Sequence, residues 1–168
     1  MLMENAFIEI LSSLLKMPLQ AQANIHGPKA YPNINGSVYF YPLFNGTFVI
    51  AQIDGLPSSD QTCEGKIFGF HIHEGSECAD NAEGAFGMTG GHYNPDDCLH
   101  PSHAGDLPPL FADNGYTLSM FYTGRFYPDE VIGKTAVIHD MPDDFTSQPA
   151  GNSGSKIACG EIKEASLP

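Results

Sequence analysis

Hydrophobic positions along this chain follow two different periods. Over residues 5–17, Phe7, Ile8, Leu11, Leu14 and Leu15 recur at three- and four-residue intervals, which gathers their side chains on one helical face. A short amphipathic helix is expected there, an N-terminal helical extension over residues 1–20 ahead of a main domain over 21–168. From about residue 35 the period becomes two. Ser37 to Tyr41 and Thr47 to Ile53 are rich in Val, Ile, Phe and Tyr, residues suited to a pleated, half-buried surface. Between them Phe44-Asn45-Gly46 suits a hairpin with an Asn-Gly turn. Further strands are expected over 66–73, 116–123, 135–139 and 156–162.

Two stretches break the alternation, residues 74–109 and 140–154. Loops of that length inside a compact domain are uncommon and usually functional. Strands separated by turn signals, with no strand–helix alternation, predict an all-β fold: an antiparallel sandwich or barrel. The 168 residues suit one domain with a single core, and 18 Gly with 13 Pro suit many turns.

Charge narrows the partners. Seven basic residues face twenty acidic ones, a formal net charge of −13. Nucleic acid and anionic membrane both require a positive face, so neither is expected as a partner. No stretch near twenty residues stays apolar, so no membrane span is expected. Met1 to Leu15 lacks a basic start, and Glu4 and Glu9 interrupt its apolar run, unlike a signal peptide. The Ala-Gln-Ala end of the next segment leaves export open, with cytoplasm as the default. Four cysteines without a C-x-x-C pair form neither a disulfide scaffold nor a zinc knot.

Six of the seven histidines gather on or beside the strands that flank the two loops. His71 and His73 alternate in Gly69-Phe70-His71-Ile72-His73-Glu74. On a strand such residues share a face about 6.5–7 Å apart, within reach of one ion. Alone, the pair fits better two surface histidines on a half-exposed strand. A second cluster shifts the balance: His92 in Gly91-His92-Tyr93-Asn94-Pro95, then His100, His103 and Asp106 at three-residue spacing. Three imidazoles and one carboxylate suit tetrahedral zinc. His139 closes the run Ala136-Val137-Ile138-His139 where the second loop begins. One tetrahedral zinc would leave at least three imidazoles idle. Two ions with four protein ligands each need eight donor positions from seven residues, so one imidazole binds through both ring nitrogens. A site of imidazoles alone suits copper, and the site with the carboxylate suits zinc.

These segments, together with Ile132 to Asp144 and Gly151 to Ile162, resemble the copper–zinc superoxide dismutase family, in its bacterial type. The resemblance implies a Greek-key antiparallel β-barrel, an immunoglobulin-like sandwich with two long functional loops. It implies a superoxide dismutase converting superoxide anion to dioxygen and hydrogen peroxide through Cu(II)/Cu(I) cycling. Carried over, copper is bound by His71, His73, His92 and His139, and zinc by His92, His100, His103 and Asp106. His92 is then the bridge and a proton source for the product. Asp143 matches an aspartate that hydrogen-bonds one histidine of each metal, here His71 and His100. Cys159 matches the strand cysteine of the family disulfide, with Cys78 as its partner.

The chain departs from the family in three places. Lys156 stands where an arginine usually lies beside the copper, keeping the charge and losing the planar fork of donors. The second loop is shorter than in many relatives. Cys63 and Cys98 fall outside the usual pair; a second bridge between them and two free thiols are both open. A homodimer is compatible with the sequence. The competing reading is a copper- and zinc-binding protein of the same fold without significant activity, which would have little need for a full ligand set with its bridge.

Overall fold

The computed structural model of the protein describes residues 16–58 and 66–165. The helix expected over 5–17 falls outside these residues except for its end, and so does Cys63. Residues 17–20 are not helical, and Gln20 already donates to the Phe40 carbonyl at 3.2 Å. Strands follow in the order β1 Ala21–His26, β2 Asn35–Leu43, β3 Gly46–Asp54, β4 Lys66–Phe68, β5 Phe70–His73, β6 Leu110–Ala112, β7 Thr117–Thr123, β8 Thr135–His139 and β9 Lys156–Glu164. Among the described residues no helix is long and apolar enough to cross a membrane.

Every ladder is antiparallel. Seven strands form one sheet in the order β5-β8-β9-β1-β2-β3-β7, and β4 pairs β6 separately. Gly69 alone divides β4 from β5, and the Asp113–Tyr116 bridge joins β6 to β7. The small ladder therefore links the two ends of the large sheet, closing the circuit of a Greek-key barrel.

Inward residues alternate as a half-buried sheet requires. Ala21, Ala23 and Ile25 of β1, Val38 and Phe40 of β2, and Val49, Ala51 and Ile53 of β3 are buried. Phe68, Phe70, Leu110, Ile157 and Ile162 meet them in the same core. Each large side chain contributes roughly 1.5–3 kcal/mol by leaving water. β1 and β6 were not expected from the sequence. β1 reads Ala-Gln-Ala-Asn-Ile-His, a correct alternation in residues of low strand propensity. The β2–β3 turn also differs from expectation. Its two loop residues are Phe44 and Asn45, Leu43 pairs with Gly46, and the left-handed residue is Phe44, with φ 50°. Gly46 is needed for another reason: a Cβ there would collide with the Thr123 carbonyl of β7.

Alternation fails on β5 and β8, where every residue is buried. The two long loops cover the outer face of both strands, so these strands have no wet side. The first loop is stitched to the free edge of β5. Ile72 donates to Gly105 O at 2.9 Å, Tyr93 to Ile72 O at 2.7 Å, and Glu74 to Gly91 O at 2.9 Å. This stitching sets His92 opposite His73 and Asp106 opposite His71. The disulfide Cys78–Cys159 ties the same loop to β9.

Candidate metal centre

β5 projects His71 and His73 outward beneath the loops, both buried. β8 supplies His139 through an irregularity. Ile138 pairs with Ala158 but His139 pairs with Lys156, so β9 has one extra residue there. A bulge of this kind bends the strand and re-aims a side chain. The resulting ring lies with its Nε2 3.2 Å from His73 Nε2. His92, His100 and His103 come from the stitched loop and are also buried.

The six imidazoles and Asp106 form two groups that share one member. Ligand atoms of His71, His73, His92 and His139 lie within 4.8 Å of one another, and so do those of His92, His100, His103 and Asp106. All seven residues expected from the sequence are brought together. His92 belongs to both groups, with Nδ1 2.7 Å from Asp106 Oδ1.

Hydrogen bonds assign one nitrogen of most rings and leave the other free. His71 Nε2 donates to Asp143 Oδ2 at 2.7 Å, and His100 Nε2 to Asp143 Oδ1 at 2.9 Å. Asp143 thus lies between one ring of each group. His73 Nδ1 donates to Gly90 O at 2.8 Å, and His139 Nδ1 to Gly154 O at 3.3 Å. With those protons placed, the lone pairs of His71 Nδ1, His73 Nε2 and His139 Nε2 point inward. His71 Nδ1, His92 Nε2, His100 Nδ1 and His103 Nδ1 are buried without a hydrogen-bond partner. Buried lone pairs crowded together repel one another, and a bound cation relieves both the repulsion and the missing partners. The donor set therefore fits two metal ions.

Ionisation favours the same outcome. Burial, helped by the neighbouring His92 and His139, pushes His71 down to about 2. Burial lowers His139 to about 4 and His73 well below its ordinary value. These rings stay neutral near pH 7, the form that binds metal. Burial raises Asp106, but the hydrogen bond from His92 and the nearby His100 and His103 outweigh it and hold the carboxyl at about 2.

The sequence did not disclose the residues that brace this arrangement. Gln148 brackets His100, its Oε1 accepting from the His100 N–H at 3.0 Å while its Nε2 donates to the His100 carbonyl at 2.7 Å. Gly151 has φ 64°, and a Cβ there would collide with the Asp143 carboxylate. Lys156 is half-buried rather than extended into solvent. Its ammonium donates to Thr89 Oγ1 at 2.8 Å and to Gly90 O at 3.1 Å, with Phe86 O at 3.5 Å. Burial lowers its pKa. Among the described residues Cys98 is a free thiol, and the suggested Cys63–Cys98 bridge lies outside them.

Comparison with known proteins agrees with this geometry. The family model described as copper/zinc superoxide dismutase (SODC) matches residues 34–162. "Superoxide dismutase [Cu-Zn] 2" of Aquifex aeolicus is 30% identical over 169 residues, covering 92% of each chain. "Superoxide dismutase [Cu-Zn]" of Deinococcus radiodurans is 34% identical over 145 residues, 76% of each chain. "Extracellular superoxide dismutase [Cu-Zn]" of Drosophila melanogaster is 35% identical over 166 residues, covering 87% of this chain and 86% of its own. A barrel with two linked imidazole groups is the architecture of a binuclear metalloprotein. The chain belongs to the copper/zinc superoxide dismutase family.

Proposed function

We propose that the chain dismutates superoxide, with copper held by His71, His73, His92 and His139 and zinc by His92, His100, His103 and Asp106. The observation that carries this reading is the convergence of unpartnered imidazole nitrogens on two points joined by His92. When bound, copper supplies a one-electron couple that takes an electron from one superoxide and returns it to another. Two superoxide ions and two protons balance one dioxygen and one hydrogen peroxide. His92 Nε2 holds a proton for the departing peroxide, and the zinc group keeps that ring oriented from Nδ1. Asp143 holds His71 and His100 in the tautomers that expose Nδ1.

Lys156 supplies positive charge near the copper group on a chain of net charge −13. Screening confines distant charges to about 8–10 Å at physiological salt, so the local sign outweighs the total. The same ammonium braces the Gly90 carbonyl that orients His73.

The disulfide supports export over a cytoplasmic location, since cytosolic thiols are kept reduced. A second copy of the chain is the partner supported by the outer face of β2, β3 and β7. Three cross-strand rows there, Ser37–Gln52–Leu118, Tyr39–Ile50–Met120 and Tyr41–Phe48–Tyr122, contain no charged residue. Two strongly acidic chains approach with least repulsion across such a surface. Sedimentation equilibrium of the protein and of Met120→Lys tests this: a monomer at all concentrations would remove the dimer.

Metal content measured together with superoxide loss tests the main reading. One copper and one zinc per chain with catalysed dismutation is expected. Both metals bound without catalysis would leave a metal-binding protein, and a chain that takes up no copper would remove the proposal.

A further inference from the structure

Arg125 lies two residues beyond β7, between an anchored backbone and the loop segment that carries His100, His103 and Asp106 of the zinc group. Its own N–H donates to Thr123 Oγ1 at 3.2 Å. The next residue, Phe126, is buried in the core, and its carbonyl accepts from Thr47 Oγ1 at 2.8 Å. From this fixed base the side chain crosses to the first long loop. Nη1 lies 3.0 Å from the Pro101 carbonyl oxygen, 3.0 Å from that of His103 and 3.2 Å from that of Asp106.

Three carbonyl oxygens turned toward one point repel unless a donor sits among them. A guanidinium answers this well, because it is always charged and carries N–H groups but no acceptor. Two of the three carbonyls belong to His103 and Asp106, and the third follows His100 directly. The segment from His100 to Asp106 has no strand or helix to set its shape. Its internal bonds are local, such as the His103 N–H donating to Asp106 Oδ2 at 3.0 Å and the Asp106 N–H to His103 O at 3.2 Å. Those bonds shape the turn but do not tie it to β7.

We infer that Arg125 is a positioning residue that anchors the His100–Asp106 backbone to the end of β7 and so pre-organises the zinc group. The inference rests on the metal assignment proposed above. Arg125 also carries a charge of the same sign as zinc, an effect that opposes the anchor. Its side chain is exposed, so solvent and salt screen that repulsion and the anchor dominates.

The test uses the full metal-loaded chain. Arg125→Met should release zinc to a competing chelator roughly tenfold faster, the lower end of what loss of an outer partner costs a metal site. Cobalt(II) placed in the zinc group should show altered visible bands in the same variant. Arg125→Lys keeps a cation that can meet the carbonyls, and should recover part of the loss. Copper retention should be unchanged, because the side-chain hydrogen bonds of Arg125 go to residues 101–106. Zinc release from Arg125→Met at the wild-type rate overturns the inference, and slower release shows that repulsion is the larger effect. Equal loss of both metals, together with a lower melting temperature of the metal-free variant, also overturns it by marking general loosening. A wild-type chain that binds no zinc would instead defeat the metal assignment, and is distinguished by that measurement alone.

Discussion

Asp143 is the buried carboxylate on which both candidate metal groups lean, and replacing it with asparagine should separate them. Its two oxygens are not equivalent. Oδ1 accepts from His100 Nε2 at 2.9 Å and from the Phe145 N–H at 2.7 Å, whereas Oδ2 accepts only from His71 Nε2 at 2.7 Å. An asparagine offers one acceptor and one NH2 group. It keeps two bonds by placing its oxygen at the Oδ1 position, which turns the NH2 toward the His71 N–H. Two donors then face each other beside a fully buried ring. His71 escapes by moving its proton to Nδ1, the unpartnered nitrogen that would hold copper in the proposed assignment. Asp143→Asn should therefore lower copper affinity about 10–100-fold, the usual cost of losing an outer hydrogen-bond partner. That range is about 1.4–2.8 kcal/mol. Zinc affinity should fall by a clearly smaller factor, because His100 keeps its acceptor. Titration of each metal against a competing chelator measures both. Equal losses, or a larger loss of zinc, would refute the reasoning about the two oxygens.

Three further outcomes follow from the same geometry. His92 offers a nitrogen to each group, so His92→Ala should impair copper and zinc binding together; elemental analysis showing one metal at full occupancy would contradict the shared role. Lys156→Glu should lower kcat/KM for superoxide, with the deficit shrinking as salt rises; a salt-independent rate equal to wild type would remove Lys156 from the reaction. Cys78 and Cys159 close a loop across a separation of 81 residues, so Cys78→Ser should destabilise the chain by about 4 kcal/mol in urea unfolding. No change in the unfolding midpoint would show that the loop is held by its metal ligands and backbone bonds alone.

Sequence alone was enough for most of the periodic strands, the hairpin between β2 and β3, and the seven residues that the fold gathers into two groups, because each rests on short-range spacing. The strand expected over 66–73 is instead divided at Gly69 into β4 and β5. Alternation at His71 and His73 is a local property of a strand, and three-residue spacing from His100 to Asp106 is a local property of a loop. The pairing of Cys78 with Cys159 and the role of Asp143 were legible only through resemblance to a family. Tertiary structure decided the rest. β1 forms because β2 and β9 flank it, not because Ala, Gln and Asn favour strands. His139 reaches His71, His73 and His92 because β9 carries an extra residue opposite it, a feature of register between strands that no run of β8 discloses. The nitrogen that each ring leaves free depends on carbonyls of Gly90 and Gly154 and on Asp143, all far from the rings in sequence. Lys156 shows the limit most plainly: its charge was readable, but its three acceptors at Phe86, Thr89 and Gly90 exist only once the first loop is folded against β9.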